Sequence, residues 1–325
     1  MTLLASVPVG RSPVDIDGPR HLALDPENGL GYVALSYPFA NVSAHALSLG
    51  ATQRSGYVQA LNLLDLSIAG EMRVDPSAAD AAFSPSTGQL AVVHADGFRA
   101  LQSDVEARRA NLVLVDPADA IAKGSAVPKR LTLCAVPSTV AFDGAGTRIF
   151  VSCTGEDSIA VVDGASGAVL SREPSGAPGV NQPYALVSDP ARDRLLVSNR
   201  VSFSVGVFDL ADAPNLLSTT ARISGVPMFA TLISDDTLAV PFQSPNGAAL
   251  FDVTSGEKLL EIQYPDTDCT NPSELTFSRD SRLHLVCEGD HYRPGAVVEL
   301  DPSTLEIIAS VPVDLYPERM SILEP

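Results

Sequence analysis

Chemistry in this 325-residue chain has to come from polar side chains that stand singly among short apolar runs. Two residues beyond each proline or proline-like residue that opens such a run come His21, Asp80, Thr139, Ala185, Phe229, Glu274 and Arg319. One place earlier stand Arg20, Ser138, Tyr184, Met228 and Glu318; the ends of the following runs carry His94, Asn199, Arg200, Gln243 and Glu288. These groups are far apart in sequence, so they form a site only if the fold repeats and brings equivalent places together. Converging carboxylates, imidazoles and amides can then do two things. Several oxygens can hold a hard divalent cation or a polar ligand. A carboxylate or imidazole can also act as a general base beside a metal-polarised carbonyl. The same groups can instead neutralise one another across a water-filled mouth, for instance Arg319 with Glu274. Phe229, Ala185 and Thr139 interrupt the polar ring, and Arg20 and Arg319 oppose a nearby cation.

The elements that must position these residues are strands. From Pro137 to Leu170 the chain reads PSTVAFDGAGTRIFVSCTGEDSIAVVDGASGAVL, apolar β-branched runs separated by Asp, Gly and Ser turns. Such runs at regular spacing predict an all-β fold. The unit recurs at Gly18 to Ser36, Ser77 to His94, Val136 to Cys153, Gln182 to Asn199, Val226 to Phe242 and Asn271 to Cys287. A third strand ending in or near Asp follows each (LNLLDL, NLVLVD, IAVVD, VGVFDL, AALFDV, AVVELD), and then a more polar fourth. Six four-strand units of about 40–57 residues predict the blades of a β-propeller, in one domain over residues 1–325. The polar residues named above then ring the mouth of its central channel. LLASVPV (Leu3 to Val9) is similar to IIASVPV (Ile307 to Val313), and YPERMSI (Tyr316 to Ile322) reads as another innermost strand. These ends predict a seventh blade shared by both termini, or a piece of a longer chain.

Two insertions depart from the repeat, Tyr37 to Ser55 in blade one and Ala95 to Arg109 in blade two, the second able to hold a short helical turn. Insertions of this kind fall on one face, often the binding face. Cys134 and Cys153 flank an innermost and second strand of blade three, as Cys269 and Cys287 do in blade six. The duplicated placement predicts the intrablade disulfides Cys134–Cys153 and Cys269–Cys287, each contributing about 3 kcal/mol, and an oxidising compartment. A four-thiolate metal site is disfavoured because those blades are not neighbours. His284 reads as a half-buried strand residue, while His291 with Asp290 forms a minor candidate metal pair and His45 has no local partner. Asn41 opens an isolated Asn-x-Ser. No nucleophile elbow, phosphate loop or Cys-x-x-Cys-His is present.

The units VAFDGAGTRIFVSCTGEDSIAVVDGASGAVL and ALVSDPARDRLLVSNRVSFSVGVFDL resemble the YVTN-type repeats of extracytoplasmic β-propeller proteins. IFVSC, LLVSN and GYVALS stand where that family has its YVTN-like tetrad. The resemblance spans nearly the whole chain and speaks for the fold. The family includes surface-layer proteins, lactonase-like members and propellers fused to cytochromes, and a shared fold does not confer chemistry. In its lactonase and gluconolactonase-like relatives Glu, Asn and Asp from such positions hold Ca²⁺. The resemblance thus implies Asp80, Asn199 and Glu274 as metal ligands, with His21 or His94 as base.

The totals narrow the partners. With 39 acidic against 21 basic residues the net charge is −18, which repels phosphate backbones and anionic membranes and argues against nucleic-acid binding. No apolar run reaches the roughly 20 residues that span a bilayer. MTLLASVPVG lacks the basic and long apolar regions of a signal peptide. The favoured reading is a secreted, periplasmic or cell-surface binding or scaffold module, a monomer or a part of a larger assembly, whose channel-mouth face meets a protein or small-molecule partner. The alternatives are a Ca²⁺-dependent lactonase-like hydrolase and the propeller half of a periplasmic cytochrome-linked redox protein.

Overall fold

Asp, Gly and Ser turns cut the apolar runs so short that each run makes one strand, and successive strands of a blade pair antiparallel. The computed structural model describes residues 2–10, 18–36, 56–95, 99, 102–104, 106–123, 129–290, 292–314 and 317–323. It divides into two compact units, residues 7–173 and residues 1–6 with 174–325.

The unit of residues 7–173 holds three blades. Blade one is β1 (Gly18–Asp25), β2 (Leu30–Ser36), β3 (Gly56–Asn62) and β4 (Ile68–Val74). Blade two is β5 (Ala78–Ser84), β6 (Gln89–His94), β7 (Arg109–Val115) and β8 (Lys129–Ala135), with a helix α1 (Pro117–Lys123) between its last two strands. Blade three is β9 (Pro137–Phe142), β10 (Arg148–Cys153), β11 (Ser158–Asp163) and β12 (Val169–Pro174). The core lies between blades: Tyr32, Val58 and Met72 pack on Ala81, Leu90 and Val113, and Leu112 and Leu133 pack on Val140, Ile149 and Val151.

The other unit repeats the plan. Blade four is β13 (Pro183–Asp189), β14 (Arg194–Asn199), β15 (Ser204–Asp209) and β16 (Asn215–Thr219). Blade five is β17 (Val226–Pro227), β18 (Thr231–Leu232), β19 (Thr237–Gln243), β20 (Gly247–Asp252) and β21 (Lys258–Gln263). Blade six is β22 (Pro272–Phe277), β23 (Leu283–Cys287), β24 (Ala296–Leu300) and β25 (Ile307–Pro312). Val205, Val207, Val240 and Phe251 fill the space between blades four and five; Leu250, Leu275 and Leu285 lie between five and six.

The repeat extends to single backbone groups. Ser77, Val136, Gln182 and Asn271, each just before an innermost strand, have φ of 61°, 52°, 53° and 53°. Their carbonyls accept the N–H groups of Ala95, Thr154, Arg200 and Glu288 at 3.0–3.1 Å. Immediately afterwards the register slips, between Ala78 and Asp80, Pro183 and Ala185, and Pro272 and Glu274. A bulge of this kind re-aims the next side chain. Asp80, Tyr184, Ala185 and Glu274, singled out above, sit at these bulges.

Blade five breaks the pattern. Pro241 in β19 has no N–H, and its carbonyl accepts from Met228 on the innermost side, so the ladder loses a donor on that side. Phe229 leaves the sheet and bridges the next innermost strand: its N–H donates to Ser273 and its carbonyl accepts from Leu275, both at 2.9 Å.

Several expectations need correction. Among the described residues the all-β propeller has six blades, not seven. Residues 2–9 and 317–323 form no strand, although the terminal segment lies beside β22: Ser273 Oγ donates to the Glu318 carbonyl. Pro8 and Pro317 cannot donate to a ladder. In blade one the third strand is Gly56–Asn62, and LLDL, expected within it, makes the following turn. Both disulfides form, with Cα–Cα distances of 5.8 Å and 5.2 Å. Cys134 lies in β8, however, so that bond joins blades two and three instead of closing one blade. The insertion Tyr37 to Ser55, with Asn41 and His45, and also His291, lie outside the described residues. The second insertion contains one helical turn at Glu106–Arg108, as its sequence suggests.

Candidate functional site

In the unit of residues 7–173 the three innermost strands meet at Asp80. His21 Nδ1 lies 3.0 Å from the Ala81 carbonyl and 3.2 Å from Asp80 Oδ1. The other carboxylate oxygen accepts the Val140 N–H at 3.1 Å, and Asp80 is only 2% exposed. Two acceptors thus face Nδ1 of His21. Thr139 and Ser138 are engaged by neighbours, Ser152 Oγ at 2.8 Å and Thr154 Oγ1 at 2.6 Å respectively. His94, at the end of β6, is buried with Nδ1 3.0 Å from the Asn111 carbonyl, and Arg20 is half-buried. Nearby Asp75 would be raised by its burial, but hydrogen bonds from Asn111 and Arg130 and the proximity of His94 hold its carboxyl below the usual range.

In the unit containing residues 174–325 the corresponding places build a stack. The Arg200 guanidinium lies over the Tyr184 ring at 3.4 Å from its centroid, and that ring is 6.3 Å from Phe229. On Phe229 lies the Arg319 guanidinium, 3.9 Å from the centroid. Arg319 ends on Glu274, with Nη2 3.1 Å and Nε 3.3 Å from Oε1, while Oε2 accepts the Met320 N–H. Cation–π contacts at these distances and a desolvated ion pair hold the ends of three blades together. Phe229 is where the blade-five irregularity puts it, so Pro241 acts on this stack through the backbone.

The remaining residues lie deeper. Asn199 is fully buried; its Nδ2 donates to the Ser175 carbonyl at 2.9 Å, and its Oδ1 has no partner. Arg200 Nε and Gln243 Nε2 are shielded from solvent without an acceptor. Glu288 is buried, and its N–H closes the bond to Asn271.

The donor set implied for Ca²⁺ was tested against this geometry. Glu274 already faces a guanidinium and an amide N–H, and Asp80 an imidazole and an amide N–H. Asp80 belongs to one unit, Asn199 and Glu274 to the other. Among the described residues no group of three or more His, Cys, Asp or Glu stands together as a metal cage. The set does not fit a hard cation, which wants several unengaged oxygens. The pairing of Arg319 with Glu274 is the one read from the sequence. Sequence reasoning treated Phe229 as an interruption, whereas it is the centre of the stack. Phe229 and Arg319 stand at equivalent places of the repeat, Tyr184 one place earlier in its own blade and Arg200 at the end of the following strand, so the partners were among the positions singled out although their contacts were not.

No family model matches the chain, and no curated protein matches its sequence. Among solved structures it is similar to the hydrazine synthase of Kuenenia stuttgartiensis, at 17% identity and a TM-score of 0.69, over 97% of this chain and 92% of that one. The likeness concerns the fold.

Proposed function

We propose that the chain is an extracytoplasmic β-propeller binding module whose partner docks where the innermost strands begin. One observation carries the reading: charged side chains there are tied to each other and to aromatic rings, with Glu274 held by Arg319 over Phe229. A carboxylate so engaged is a poor general base and a poor cation ligand, whereas a rigid surface of rings and guanidinium groups suits recognition. Two disulfides among the described residues support an oxidising compartment, and none of those residues forms a helix long and apolar enough to cross a membrane.

The test is turnover of a panel of aliphatic and aromatic lactones by the full chain, with Ca²⁺ and after chelation. The expected result is no turnover above the buffer rate in either case. Ca²⁺-dependent hydrolysis abolished by Asp80→Ala or Glu274→Ala would replace the module with the lactonase.

A further inference from the structure

Every other charge of the stack has its counterpart. Arg319 has Glu274, and Tyr184 and Phe229 are held face to cation on either side. Arg200 stands at the open end, half-buried, and no carboxylate pairs with it among the described residues. Its Nε is shielded and has no acceptor. Two further observations point the same way. Gln243, at the same end of the adjoining blade, has a shielded Nε2 without an acceptor. Asn199, wholly buried beside Arg200, has its amide orientation fixed by the Ser175 carbonyl and its Oδ1 without a donor. Ser198 Oγ donates to the Met228 carbonyl and so ties the end of β14 to blade five. Buried polar groups that lack partners in a folded chain call for an explanation, and a ligand from outside supplies one.

We infer that Arg200, seated on Tyr184, anchors a site for an organic carboxylate that carries its own N–H or O–H donor next to the carboxyl group. Arg200 and Gln243 supply donors to the carboxylate, and Asn199 Oδ1 accepts from the neighbouring donor. The face of the guanidinium covered by Tyr184 fixes its plane, which suits a planar anion better than a lysine would. This names the ligand class of the face proposed above and rests on that reading.

N-acetylglycine is the probe, with N-acetylglycinamide as its uncharged control, in titration calorimetry of the full chain. The acid binds the wild-type protein, and the amide at least about tenfold more weakly, the loss of a charge-assisted hydrogen bond. Arg200→Leu loses at least about as much, and Arg200→Lys falls between them. Circular dichroism and the melting temperature verify that each variant is folded. A peptide with a free C-terminal glycine carboxylate, titrated alongside, separates a chain terminus from a free small molecule as the source. The assignment is overturned if the acid does not bind, if the amide binds as tightly, or if folded Arg200→Leu binds undiminished. None of those results touches the binding-module reading, which stands or falls on lactone turnover.

Discussion

Glu274 and Arg319 illustrate how one side chain decides what its neighbours can do. Their side chains are 7% and 10% exposed, so removing either leaves a shielded charge without its counter-ion. Glu274→Gln is therefore expected to cost about 3 kcal/mol of stability, measured by urea unfolding, and Arg319→Met a similar amount. A loss below about 1 kcal/mol would mean that the pair is not shielded as described. More open to solvent are Asp65, Asp163, Asp252 and Asp301, which end or follow the third strands. The hydroxyls and then the N–H groups of Ser67, Ser166 and Ser303 hold three of them below the ordinary value of 3.8, and at Asp252 the N–H of Ser255 leads. Because their folded values are depressed, this stability is complete above pH 3.8 and disappears as pH falls through the lower folded values. Burial likewise holds His284 below 6.5, so an earlier loss begins as pH falls below that value. Unfolding followed from pH 7 to 2.5 should show both limbs. Replacing the four aspartates by Asn should flatten only the acidic one; an unchanged acidic limb would contradict the assignment.

The strand as an element was legible because its signal is local. Val140 to Phe142 and Ile149 to Cys153 alternate or run apolar and are closed by Asp and Gly, so strand and turn follow from the pattern, whereas the recurring bulges do not. What failed was set at longer range. LLDL is as apolar as a strand, but Leu66 takes φ of 60° and its N–H turns back to the Asn62 carbonyl. Helix α1 was missed despite Asp116 and Pro117 at its start, where Asp116 Oδ1 accepts the Asp119 N–H at 3.1 Å. The resemblance of Leu3 to Val9 to β25 did not make a strand, because sequence likeness provides no edge to pair with. At the site, the Arg319–Glu274 pair was legible from charge and repeat position. The stacking of Arg200 on Tyr184 was not, since it depends on which way a bulge turns a ring. Cys134–Cys153 shows the same division: the pairing was readable, the blades it joins were not. Opening that loop of sequence separation 19 with Cys134→Ser and Cys153→Ser should cost about 3 kcal/mol. A melting temperature unchanged by the double variant would show that the bond constrains nothing.

At the scale of the molecule, six blades among the described residues form two compact units of three, and a net charge of −18 makes the surface acidic as a whole. Such a surface gathers divalent cations diffusely at low ionic strength, and salt suppresses that component. The Glu274 carboxylate does not gain from the field around it, because its oxygens already face a guanidinium and an amide N–H. Calorimetric titration of chelator-treated protein with Ca²⁺ at about 0.15 M monovalent salt measures that directly. The isotherm should stay at the heat of dilution into the millimolar range, for wild type and Glu274→Gln alike. Stoichiometric binding at micromolar Ca²⁺ that Glu274→Gln abolishes would show that the carboxylate serves a metal and that the stack is not what the innermost strands were built to hold.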